Sequence, residues 1–134
     1  MESESCENLF VNLLGFIPSV YDYYSNHSVD VFLNVSNSEG IPVSIMEAEN
    51  CGIPIIATAV GGNPEIVSAD CGVLLSANPT SHEIAEALFS TVQNPDTHLE
   101  LRKGAHNMWK QNFNVHTNSK EFIRMVDNLI KTSE

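Results

Sequence analysis

Apolar positions along the chain follow two rhythms. Runs rich in β-branched and other apolar residues at Leu9–Phe16, Val29–Val35, Pro54–Val60 and Gly72–Leu75 are short and are bounded by Gly, Pro, Asn or Ser, the pattern of buried strands. Between and after them, apolar residues recur at helical spacing. Ser19 can cap a short helix carrying Tyr21, Tyr23 and Tyr24, and Pro42 suits the first turn of a helix that runs to Asn50 and stops at Gly52. Asn63-Pro64-Glu65 opens another short helix. Thr80 and Glu83 have the spacing of a capping box ahead of Ile84, Leu88 and Val92, which share one helical face. Asn94-Pro95-Asp96 starts a further helix ending near Gln111. The last helix, about 118–132, carries Phe122, Met125, Val126, Leu129 and Ile130 along one side, with Lys120, Arg124 and Lys131 elsewhere around it. Strands alternating with helices predict an α/β fold: a doubly wound parallel sheet with helices on both faces, a core over about 8–116, and a C-terminal helix.

The length of 134 residues fits this single domain. Gly15, Pro18, Pro42, Gly52, Pro54 and Gly61 cut every apolar run short of a membrane span. The first residues carry acids where a secretory signal has basic residues, and Cys6, Cys51 and Cys71 are odd in number with no metal-ligand or redox spacing. A cytoplasmic protein with reduced thiols is the expectation, membrane association of a full-length protein being left open. The net charge of −11 is unevenly spread: residues 1–101 hold 14 acidic residues and no Lys or Arg, and all 6 basic residues follow. An acidic chain without a basic stripe is a poor partner for nucleic acid.

In open parallel sheets, ligands gather at the carboxyl ends of the strands, where helix N-termini present free amides. The turns after the first, second and third predicted strands are therefore the informative ones. The second carries Glu39, Gly40, a helix start at Pro42, and Glu47 after seven intervening residues. Glu39 lies ahead of the helix and Glu47 within it, so the two carboxylates can address different parts of one elongated ligand. Gly40 lets a ligand approach the backbone. The same spacing also suits a solvated helix start, or, as pure chemistry, an acid and nucleophile across a sugar. Gly61-Gly62 can cradle an anion or simply make a tight turn. His27, His82, His98, His106 and His116 are scattered without metal-ligand spacing, and no Ser/His/Asp set is readable. No metal or cofactor is called for.

The text from Val31 to Val67, with Glu39-x7-Glu47-Ala48, Gly52-Ile53-Pro54-Ile55 and Gly61-Gly62-Asn63-Pro64-Glu65, closely resembles the donor-binding region of family 4 retaining glycosyltransferases of the GT-B fold. Weaker similarities are Gly15-Phe16-Ile17, Gly72-Val-Leu-Leu75, Asn78-Pro79, and Trp109 with Phe113. The resemblance implies the Rossmann-like C-terminal lobe of an enzyme that moves a sugar from a nucleotide-sugar to a hydroxyl acceptor. It casts Glu39 as the glutamate beside the donor sugar and Glu47 as the one that bonds the ribose hydroxyls. Backbone amides around Gly40, Ile41 and Val43 meet sugar and diphosphate, Phe16 and Ile17 line the base by main-chain contacts, and Gly61 and Gly62 lie close to the ligand.

Two departures from the family pattern stand out. Pro42 occupies a position where many members have a second glycine, and it has no N–H to donate. The Arg and Lys that grip the diphosphate in the family have no counterpart before Arg102. The expectation is therefore a partial donor lobe, inactive by itself, whose partners are a missing N-terminal lobe, a nucleotide-sugar and a hydroxyl acceptor. Bacterial surface polysaccharide or glycoconjugate synthesis is the expected setting. A homodimer through the C-terminal helix is a further expectation, and a non-catalytic nucleotide-sugar-binding or interaction module is the alternative.

Overall fold

A computed structural model describes residues 10–132. The order is α1 (Val20–Asn26), β1 (Phe32–Asn34), α2 (Val43–Asn50), β2 (Ile55–Thr58), α3 (Asn63–Ile66), β3 (Gly72–Leu75), α4 (Ser81–Val92), α5 (Pro95–Asn112) and α6 (Val115–Lys131). The strands form a parallel sheet in the order β1-β2-β3, with Phe32 opposite Ile55 and Ile55 opposite Gly72.

Strand alternation builds a core on each side of this sheet. Ile55 and Ala57 of β2 face one way and pack with Ile45 and Ala48 of α2, Ile66 and Val67, and Ala105 of α5. Ile56 faces the other way, joining Leu75 and Ala87, with Ile84 and Leu88 of α4 packed against them. Every residue of β2 is buried, as expected of a central parallel strand covered on both faces. The α/β sheet with helices on both faces matches the sequence expectation.

The caps explain several boundaries. Ser19 Oγ accepts from the Asp22 N–H, and Asn94 Oδ1 accepts from the N–H groups of Asp96 and Thr97. Thr80 Oγ1 accepts from the Glu83 N–H, the first half of the capping box, and the Thr80 backbone also helps to hold the Glu83 carboxylate. The Glu83 carboxylate further takes the Ser76 N–H at 2.6 Å and the Ser76 hydroxyl at 2.9 Å, bracing the turn after β3. Those bonds hold its carboxyl below the usual glutamate range. Helix α6 starts three residues earlier than the apolar periodicity indicates, because Asn114 Oδ1 caps it through the His116 N–H. Pro42 is the cap residue of α2 and not part of its first turn, since its extended backbone precedes the first helical residue.

The strand expected at Leu9–Phe16 is not formed. Leu9 lies outside the described residues, and 10–16 carry no strand. A strand requires a neighbour for its backbone groups, and the described sheet places none beside this segment. Phe10, Leu13 and Phe16 are 88%, 96% and 90% exposed. At the opposite end of the chain, α6 buries no residue, and its Phe122, Leu129 and Ile130 are each at least 60% exposed.

One buried group was not anticipated. Glu49 of α2 is fully enclosed, and neither carboxyl oxygen has a hydrogen-bond partner. Burial pushes its carboxyl up to about 8, against a lowering influence of the nearby Cys71 thiol. The thiol is itself engaged with Ser68 and the Ile66 carbonyl.

Candidate functional site

The carboxyl ends of β1 and β2 lie side by side, and the turns that follow them lock together. Asn34, the last residue of β1, accepts the Ser36 N–H on its Oδ1 at 3.0 Å and donates from Nδ2 to Glu39 Oε1 at 3.1 Å. Thr58, the last residue of β2, donates its hydroxyl to the Ser36 carbonyl at 2.6 Å. Asn63 then reaches back from α3 to donate to the Thr58 carbonyl at 2.9 Å. Both strand ends thus hold the loop that presents Glu39. The Ser36 side chain and then the Asn34 amide hold the Glu39 carboxylate below the usual glutamate range, so it is ionised at neutral pH.

Gly61 and Gly62 close the other side. The Gly62 N–H donates to the Gly40 carbonyl at 2.8 Å. Gly61 has φ +53°, and a Cβ there would overlap the Glu39 carbonyl. A Cβ on Gly62 would stand 2.6 Å from Ile41 Cγ1 and 2.7 Å from the Gly40 oxygen. These glycines are therefore demanded by turn-on-turn packing, which is a sufficient reason for them without any ligand. Gly40 differs: a Cβ there would meet nothing within 4 Å, and its φ is not positive. Its missing side chain leaves open space beside Glu39.

Helix α2 begins at this turn, and its first-turn amides at Val43 and Ser44 point toward the same end without an intrahelical acceptor. Glu47 follows one turn along α2, about 6 Å of rise beyond Val43. It is partly buried on the side where Tyr24 and Cys51 lie. Burial and then the Glu47 charge push the Tyr24 phenol up, and the same two causes raise the Cys51 thiol.

Of the residues singled out from the sequence, the structure brings Glu39, Gly40, Ile41, Gly61 and Gly62 into one turn pair, with Val43 at the adjoining helix start. Glu47 is on the same helix, farther from the strand end. Phe16 and Ile17 belong to the segment ahead of α1, and the exposure of Phe16 keeps it from packing on any of these groups. Asn34 and Thr58 are the supports that sequence reading missed. Asn34 reads as part of a strand and Thr58 as part of an apolar run; only pairing of β1 with β2 brings them to one loop. His98 and His106 have structural partners, the backbone carbonyls of Asp30 and Asn50 at 2.8 and 2.9 Å.

A family profile described as "Glycosyl transferases group 1" matches residues 4–108. The chain belongs to that family. Group 1 relatives include the putative colanic acid biosynthesis glycosyltransferase WcaL of Escherichia coli K12, 31% identical over 126 residues, which are 89% of this chain and 31% of WcaL. Among solved structures, the C-terminal domain of the group 1 protein LpcC from Francisella tularensis superposes with TM-score 0.66 at 22% identity, over 76% of this chain and 53% of that one. Anabaena HepE in complex with UDP superposes with TM-score 0.67 at 24% identity, over 74% of this chain and 28% of HepE. The chain spans about a fifth to a third of the length of the curated relatives it matches. The fold is thus that of the C-terminal part of a GT-B glycosyltransferase. No described helix is long and apolar enough to cross a membrane.

Proposed function

We propose that this chain is the donor-recognising part of a retaining glycosyltransferase that moves a sugar from a nucleotide-sugar to a hydroxyl acceptor, in bacterial surface polysaccharide or glycoconjugate synthesis. The observation that carries the proposal is the locked turn pair: an ionised Glu39 held beside an unfilled space at Gly40, at the carboxyl ends of two parallel strands and at the start of α2. In this reading the donor sugar lies over Gly40 with its hydroxyls toward Glu39, and the diphosphate meets the free amides of Val43 and Ser44. The nucleotide ribose reaches Glu47, and the base lies toward Phe16 and Ile17. The donor's own phosphate assists deprotonation of the acceptor, no metal takes part, and Glu39 supports the sugar electrostatically. HepE was solved in complex with UDP and with UDP-glucose, which makes a uridine nucleotide the first donor to test.

Affinity depends on groups beyond this chain's site. Charge-assisted bonds from Arg or Lys to a diphosphate contribute about 1.5–3 kcal/mol each. Residues 1–101 contain neither residue, whereas the amides at the start of α2 supply about 0.3–1 kcal/mol. Two absent cations weaken binding by about two to four powers of ten, so tight donor binding requires an Arg and a Lys from outside residues 1–101. The exposed stripe of α6 is the face offered to a further lobe, or to a second copy of the chain.

Calorimetry of the chain with UDP-glucose is expected to give dissociation constants of about a millimolar, lost in Glu39→Ala and Glu47→Ala. Unchanged binding in both variants would remove the assignment. Micromolar binding by the chain alone would favour the alternative, a self-sufficient nucleotide-sugar-binding module.

A further inference from the structure

Glu39 is presented by a loop, and a loop carboxylate needs something to aim it. We propose that Asn34 is the positioning residue for Glu39, fixing one carboxylate oxygen so that the remaining lone pairs face the space over Gly40 and accept hydroxyl protons of the donor sugar. The second half of this inference rests on the donor-site reading above; the first half stands on the geometry of the loop.

Three observations converge on Asn34. Its backbone is held in parallel register opposite Ala57, so the side chain springs from a fixed strand and not from the loop it controls. Its side chain performs two tasks at once: Oδ1 accepts from the Ser36 N–H, which bends the chain out of β1, and Nδ2 donates to Glu39 Oε1. Thr58 supports the same bend from β2 through the Ser36 carbonyl but does not touch Glu39. Only an amide of this length supplies both an acceptor for the turn and a donor for the carboxylate. Aspartate keeps the acceptor and loses the donor; alanine loses both. A carboxylate has about four lone-pair sites, and the Asn34 amide occupies one of them, leaving capacity for a sugar hydroxyl.

The test is a carboxyl-carbon NMR titration of the 134-residue chain. Asn34→Ala is expected to raise the Glu39 midpoint toward the ordinary glutamate value. Asn34→Asp, which keeps the Ser36 turn and sets a like charge beside Glu39, is expected to raise it by about one pH unit or more. Thr58→Val, which loosens the loop and leaves Asn34 in place, is expected to leave the midpoint near that of the unaltered chain. An unmoved midpoint in Asn34→Ala, or an equal rise in Thr58→Val, would overturn the positioning role. Adding UDP-glucose should shift the Glu39 signal of the unaltered chain and not that of Asn34→Ala, with UDP alone leaving both in place. If UDP-glucose leaves the unaltered chain's signal in place as well, the donor-sugar reading fails while the titration still decides the role of Asn34.

Discussion

The turn pair at the strand ends and the two flanks of the chain treat apolar and backbone groups in opposite ways. At residues 34–63, side-chain and backbone bonds join β1, β2 and α3, and two glycines have no room for a side chain. In residues 10–17 and in α6, large apolar side chains project into solvent although the sequence there is as strongly patterned as anywhere. Apolar periodicity fixes what kind of element a segment can become, while burial requires a partner surface at the right distance. The turn pair has its partners within the chain. The flanks leave apolar faces exposed, which is the arrangement expected if they complete themselves against another lobe or another copy.

The sharpest way to break this contrast is at the glycines. Gly61→Ala or Gly62→Val is expected to cost about 3 kcal/mol or more, because the new carbon meets backbone of the facing turn. Gly40→Ala is expected to cost less than about 1 kcal/mol of stability, since its carbon enters open space, while weakening UDP-glucose binding. Chemical denaturation of the three variants measures the difference; equal costs would mean that the space at Gly40 is not open.

The core offers a second contrast, between its apolar residues and Glu49. Below about pH 4.5 folded and unfolded chains both hold the Glu49 proton, and its contribution to stability is fully present. Above that value the unfolded chain releases the proton while the folded chain keeps it to about pH 8. Stability therefore falls through that window by about 1.4 kcal/mol per pH unit at most, and then levels. Glu49→Met is expected to remove this slope and to stabilise the chain by on the order of 2 kcal/mol at pH 7. Denaturation midpoints at pH 5, 7 and 8.5 check it, and a pH-independent difference between the two proteins would contradict it.

Smaller effects are expected at the flank. Replacing Phe122 and Leu129 by Ser should change unfolding free energy by less than about 0.5 kcal/mol each, since neither side chain is buried. The same pair should reduce self-association in sedimentation experiments if the stripe is a contact face between copies.

The sequence made much of this legible, and the failures have a common origin. Strand β3 fell on its expected residues because Gly72 and Leu75 bound a short apolar run, and α1 and α5 began at capping side chains that are visible in the sequence. The Glu39–Gly40–Ile41 turn was found through motif spacing, and its closeness to Gly61-Gly62 through the same resemblance. What stayed hidden depended on pairing between distant segments. The Asn34 and Thr58 supports appear only once β1 and β2 are in register, and the buried Glu49 looks in sequence like any charged residue on a short helix. The misplaced strand at Leu9–Phe16 is the converse case: a strand pattern without a neighbouring edge.

The central claim is that the turn pair and the start of α2 form one donor-binding surface. Amide chemical-shift mapping of the chain with UDP-glucose, up to about ten millimolar, tests it most directly. Saturable shifts clustered at Glu39, Gly40, Ile41, Val43, Glu47, Gly61 and Gly62 are the predicted result. Shifts confined to α5 and α6, or none at these seven residues, would contradict it.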